Sequence, residues 1–101
     1  MIGTVGLEDV KEILDSIARK IRKKVLEAYV FGSIVEGFAV RWESDLDLLI
    51  VPRTREDFFE LLKDEISSLL DMGTVPHLHI ATNPSYERLI KEARTRGIRI
   101  V

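Results

Sequence analysis

A chain of 101 residues, 46% of them hydrophobic, has material for one modest core, and the expected organisation is a single domain over residues 1–101. A net charge of only −2 gives no global pull toward nucleic acid or an anionic membrane, so direct nucleic-acid binding is not expected. Cysteine is absent, which removes disulfides, thiolate metal sites and cysteine nucleophiles, and no apolar run approaches the roughly 18 residues that a membrane span requires.

In chain order, residues 1–4 lead straight into an acidic helix start, without the basic and long apolar regions of a secretory leader, and the cytoplasm is the expected location. Leu7, Val10, Leu14, Ile17 and Ile21 recur at helical spacing. Glu8 and Asp9 lie early, and Arg19, Lys20, Arg22, Lys23 and Lys24 late, as the helix dipole favours. Residues 25–31 read as a strand that stops at Gly32, and Ser33 opens a short helical turn. A second strand covers about 45–51 and is stopped by Pro52. Thr54 and Asp57 resemble a capping box for a helix with the apolar stripe Phe58, Leu61, Leu62, Ile66, Leu69 and Leu70, and Gly73 sits at its C-terminal cap position. A third strand is expected at about 76–81. Asn83 as cap and Pro84 at the first helical position start a last helix, with Leu89, Ile90 and Ala93 facing inward and Gly97 ending it before a short strand at 98–101. The predicted fold class is α/β (α+β): a mixed sheet of three to four strands flanked by about four helices.

The chemistry concentrates between the first two strands, where Phe31-Gly32-Ser33-Ile34-Val35-Glu36-Gly37 is followed by Ser44-Asp45-Leu46-Asp47. Gly32 permits close approach of a ligand to the backbone. The N–H groups of the turn opened by Ser33 lie at the positive end of a helix dipole, where phosphate oxygens are favoured. Asp45 and Asp47 are two apart in a strand, so their carboxylates leave the same face, roughly 6.5 to 7 Å apart at the backbone. Leu46, Leu48 and Ile50 take the opposite face. Leu49 and Val51 continue the Asp face as apolar surface, which suits a sheet covered by helices on both sides. Like charges this close call for cations, and Mg²⁺ is usually held by one or two carboxylates plus substrate phosphates.

In this order and on this strand-turn-strand, these residues resemble the nucleotidyltransferase superfamily related to DNA polymerase β, and in size the chain is similar to its minimal nucleotidyltransferases. The resemblance implies transfer of a nucleoside monophosphate, here AMP from ATP, to an acceptor hydroxyl, with Mg²⁺ or Mn²⁺ as cofactor. It implies Asp45 and Asp47 as metal ligands and catalytic carboxylates, and Gly32, Ser33, Gly37 and Ser44 as nucleotide contacts. Prokaryotic proteins of this kind often accompany an all-helical HEPN partner in a toxin–antitoxin pair, and some adenylylate a tyrosine on it. A HEPN-type partner and an antitoxin role follow from the resemblance; a homo-oligomer stays open.

The sequence departs from that family's pattern at two positions. The family takes a third carboxylate from a later strand, and the matching segment here is His77-Leu78-His79-Ile80-Ala81, with His79 in its place. Histidine is a poor Mg²⁺ ligand, suits Mn²⁺ or Zn²⁺ better, and can act as a general base, which makes His79 the third candidate catalytic residue. Alternatively, His77 and His79 are partly buried polar residues on one strand face. Glu36 stands where the family commonly has arginine, with Arg41 as a candidate substitute. Phe38 and Trp42, large aromatics between the motif halves, suit packing over the site or contact with a partner. Arg88, Lys91 and Arg94 form either a solvated face or a contact for a phosphate-bearing partner. Two functional classes remain: an NMP-transferring enzyme, and a catalytically impaired nucleotide- or partner-binding module that neutralises its partner by binding alone.

Overall fold

The computed structural model describes residues 5–37 and 44–101. The chain enters through a 3-10 turn, Leu7–Val10, in which the Asp9 carboxylate accepts the Gly6 N–H at 2.8 Å, and continues into α1, Lys11–Ile21. Strand β1 (Val25–Phe31) is followed by the single helical turn α2 (Ser33–Glu36), and β2 covers Ser44–Pro52. Helices α3 (Phe58–Leu61) and α4 (Lys63–Asp71) carry the chain to β3 (Thr74–Ile80). A 3-10 turn, Pro84–Tyr86, then leads into α5 (Glu87–Arg96) and the two-residue β4 (Ile98–Arg99).

The strands form one sheet in the order β3-β2-β1-β4. Strand β1 is antiparallel to both β2 and β4, and β2 is parallel to β3, so the sheet is mixed as expected. A parallel pair needs a crossover connection, which α3 and α4 supply. Both faces are covered. On one, Val10, Leu14, Ile17 and Ile21 meet Ala28, Val30, Leu46, Leu48 and Ile50 of the sheet and Phe58, Leu62 and Leu69 of α3 and α4. On the other, Tyr29, Phe31 and Leu49 lie beneath Ala93 of α5, with Leu89 and Ile90 alongside. The expected division of β2 therefore holds: Leu46, Leu48 and Ile50 serve the main core and Leu49 the Asp face. Each such fully buried aliphatic side chain contributes roughly 1.5–3 kcal/mol.

The two core helices are also joined by a polar contact. Glu65 of α4 is 5% exposed and accepts from Lys20 Nζ at 2.6 Å and from Ser16 Oγ at 3.3 Å, both on α1. Lys20 additionally donates to the Leu61 carbonyl at 3.4 Å.

Several boundaries differ from the expected ones. The helix expected to span 58–70 is divided at Leu62, whose φ of −104° and ψ of 14° interrupt it although the side chain is fully buried. Among the described residues five α-helices result rather than about four. The capping box reduces to Asp57, whose side chain accepts the Glu60 N–H at 3.1 Å. Leu70 points outward, 44% exposed. Strand β3 starts before Pro76, because it is an edge strand and a proline there removes a donor that has no neighbouring strand to meet. Gly73 does close α4, with φ 80° and its N–H on the Leu70 carbonyl at 3.0 Å, and Asn83 does cap the next segment by accepting the Ser85 N–H at 2.9 Å. Among the described residues no helix is long and apolar enough to cross a membrane.

Candidate functional site

The site is assembled where β1 ends beside the start of β2. Their antiparallel register pairs Phe31 with Asp47, so Gly32, the next residue, turns directly across the Asp-x-Asp strand. Gly32 has φ 104°, and a Cβ placed there would lie 2.6 Å from Asp47 Oδ2 and 3.0 Å from the Asp45 carbonyl oxygen. The glycine is thus demanded by the backbone and by the carboxylate together; no other residue allows the turn to lie this close to Asp47. Its carbonyl accepts the N–H groups of Val35 and Glu36 at 3.1 and 3.3 Å, which closes α2. Gly37 ends that helix in the left-handed region, φ 83° and ψ 11°, with its N–H on the Ser33 carbonyl.

Ser33 ties the turn to the second strand. Its Oγ accepts the Asp45 N–H at 3.2 Å and donates to the Asp45 carbonyl at 3.3 Å, so one hydroxyl satisfies both backbone groups of a candidate metal ligand. The hydroxyl thereby makes Ser33 a positioning residue for Asp45. The backbone of Ser44 belongs to β2, directly before Asp45. Arg41, Phe38 and Trp42 lie outside the described residues. Glu36 is exposed at the end of α2.

Opposite the two carboxylates stand the two histidines. The parallel register sets His77 beside Asp47 and His79 beside Leu49, yet each imidazole reaches back along β2: His77 Nε2 is 3.2 Å from Asp45 Oδ1, and His79 Nε2 is 2.9 Å from Asp47 Oδ1. An ionised carboxylate only accepts, so each contact is a hydrogen bond in the tautomer that has its proton on Nε2. The His79 ring also lies 5.9 Å, centroid to centroid, from Phe31, which braces it against β1. The inner pair is the more enclosed: the Asp47 and His79 side chains are 21% and 32% exposed, those of Asp45 and His77 56% and 47%. His77, considered in the sequence only as a neighbour of His79, proves an equal member of the cluster. The signal was there, since His-x-His and Asp-x-Asp share the strand period and superpose when the strands run parallel.

The donor set has a definite chemical character. Among the described residues no three His, Asp or Glu groups converge to hold a metal by themselves. Two carboxylates and two imidazoles, disposed as separate pairs, suit a divalent ion that brings further oxygen ligands with it, as Mg²⁺ or Mn²⁺ does on nucleotide phosphates. Arg94, a candidate phosphate contact in the sequence, is otherwise engaged. A hydrogen bond with the Tyr29 hydroxyl and then the Glu27 carboxylate, at 2.6 Å, raise its pKa above the ordinary arginine value and hold it against β1.

A one-turn helix after the first strand, a glycine packed on an Asp-x-Asp strand, and a mixed sheet closed by helices are the arrangement that the resemblance to nucleotidyltransferases implies. The nucleotidyltransferase domain family model matches residues 10–100, and the chain belongs to that family. Its fold is similar to that of a solved structure described as a toxin–antitoxin with AMP-PNP, with a TM-score of 0.62 at 24% identity, covering 87% of this chain and 72% of that one. No curated protein sequence matches the chain significantly.

Proposed function

We propose that the protein is the nucleotidyltransferase-type component of a toxin–antitoxin pair, acting as the antitoxin by transferring AMP from ATP to a hydroxyl on a helical, HEPN-type protein partner. The observation that carries this reading is the convergence of Gly32, Ser33, Asp45 and Asp47 at one end of β1 and β2, within a chain of the nucleotidyltransferase domain family. The toxin–antitoxin setting is supported by the similarly folded solved structure, which contains AMP-PNP.

In this reading Asp45 and Asp47 would hold Mg²⁺ or Mn²⁺ jointly with the triphosphate, and the ion would supply neutralisation of phosphate charge. The chain's own contribution is positional. Ser33 fixes Asp45 through both of its backbone groups; Gly32 keeps the turn low enough for a triphosphate to lie beside Asp47; Gly37 and Ser44 stand at the ends of the two motif halves. His79, hydrogen-bonded to Asp47 through Nε2, stands in this reading at the third-carboxylate position, where it would orient Asp47 and its other ring nitrogen would accept the proton of an acceptor hydroxyl.

A second reading is favoured by that same histidine. With imidazole in place of a carboxylate, transfer with Mg²⁺ is slow, and neutralisation of the partner rests on nucleotide-dependent binding alone. Transfer of labelled AMP from ATP to the co-expressed helical partner separates the two. Label on the partner that depends on Asp45 and Asp47 supports the enzyme, and a stable complex without label, under Mg²⁺ and Mn²⁺ alike, supports the binder.

A further inference from the structure

A groove of ≈ 420 Å³ opens at the carboxyl ends of the parallel strands β2 and β3. It is remote from the cluster above: Asp47 and Pro52 are separated by about 16 Å of extended strand. Pro52, Phe58 and Ile80 give it apolar lining, and Arg53 and Arg55 its cationic lining. Among the described residues neither guanidinium takes part in an ion pair or a hydrogen bond. The carboxylates beside them are already engaged. Glu56, which also lines the groove, meets Lys24 Nζ at 2.9 Å, and Asp57 caps α3. The segment is held in place as well, since the Arg53 N–H donates to the Lys24 carbonyl at 2.9 Å. The result is a local excess of positive charge, with its backbone fixed, in a protein whose net charge is −2.

We propose that this groove is a second, metal-independent site, for a small phosphomonoester carrying a flat ring system, in class a nucleoside monophosphate. Two guanidiniums that line one groove suit a dianionic phosphate, which can accept paired N–H bonds from a planar fork. The adjoining apolar lining suits the remainder of such a ligand, and the volume falls within the roughly 300–1,000 Å³ of small-molecule sites. An acidic peptide fits less well, because its charges are single and spread along an extended chain. The site would give the protein a response to nucleotide independent of the metal-dependent one, so either assignment can fail without the other.

The test is calorimetric titration of the full chain with AMP in the presence of EDTA, with inorganic phosphate and a short glutamate peptide in parallel. Wild type is compared with Arg53→Gln/Arg55→Gln and with Asp45→Asn/Asp47→Asn. Both arginines are exposed, so their replacement should leave the melting temperature unchanged. The expected result is salt-sensitive AMP binding, stronger than that of phosphate alone, weakened by about tenfold or more in the arginine variant and unchanged in the aspartate variant. Absence of metal-free AMP binding, equal affinity in the arginine variant, loss in the aspartate variant, or tighter binding of the peptide would each overturn the proposal.

Discussion

At the scale of single residues, the structure sharpens what two small side chains do. Gly32 was expected to make room for phosphate; it first makes room for Asp47, whose Oδ2 occupies the place a side chain would need. Gly32→Val should therefore weaken metal–triphosphate binding and also destabilise the fold by about 1–3 kcal/mol, since a β-branched residue at φ 104° is strained. Thermal unfolding beside titration checks this, and a variant that melts and binds like wild type would show the turn to be indifferent. Ser33→Ala removes only the hydroxyl that satisfies the Asp45 backbone, and the cost expected is about 1 kcal/mol, seen as a fewfold loss of affinity. For His79, replacement by aspartate should raise the rate of AMP transfer with Mg²⁺, and replacement by alanine should lower it with Mn²⁺. Brisk Mg²⁺-dependent transfer by His79→Ala would remove this position from the account.

At the scale of elements, periodicity located every strand and helix that carries the site, and errors fell where tertiary contacts override local signals. The Asp-x-Asp strand was legible because Leu46, Leu48 and Ile50 alternate with it, and both faces proved covered. The division at Leu62 was not legible, because no glycine or proline marks it; the start of α4 is signalled only by Asp64 and Glu65 in its first turn. Nor did the spacing of Arg94 on α5 disclose that it pairs with Glu27 sixty-seven residues earlier. Gly97 ends α5 as expected, in extended backbone at φ −96°; its need is steric, because an added Cβ would stand 2.5 Å from the Ala93 oxygen and 2.8 Å from the Val30 oxygen. Gly97→Ala should thus push α5 from β1 and cost about 1–3 kcal/mol, or roughly 4–8 °C of melting temperature per kcal/mol in a domain of this size. Wild-type stability in that variant would contradict the close approach. The contact between α1 and α4 makes a similar claim. Glu65→Ala leaves Ser16 without its acceptor and Lys20 with the Leu61 carbonyl, and should cost about 1–2 kcal/mol, moderated by the partial exposure of Lys20.

At the scale of the whole molecule, the family was readable because its motif joins sequence neighbours, Gly32 with Ser33 and Asp45 with Asp47. The His77–Asp45 and His79–Asp47 pairs join residues of different strands, and only the parallel register of β2 and β3 brings them together. In the proposed reading, a metal–nucleotide ligand would bind where the two carboxylates meet the turn at Gly32. Ligand present at a hundred times its Kd stabilises a protein by about 2.7 kcal/mol, so a nucleoside triphosphate with Mn²⁺ should raise the melting temperature by about 10–20 °C. The most direct measurement is titration calorimetry of a non-hydrolysable ATP analogue, with and without Mg²⁺ or Mn²⁺, into wild type and into Asp45→Asn/Asp47→Asn. The account predicts metal-dependent binding in wild type and its complete loss in a variant that remains folded, because the two carboxylates supply the protein's ligands to the ion. Equal metal-dependent affinity in the two proteins would contradict it and move the site away from the Asp-x-Asp strand.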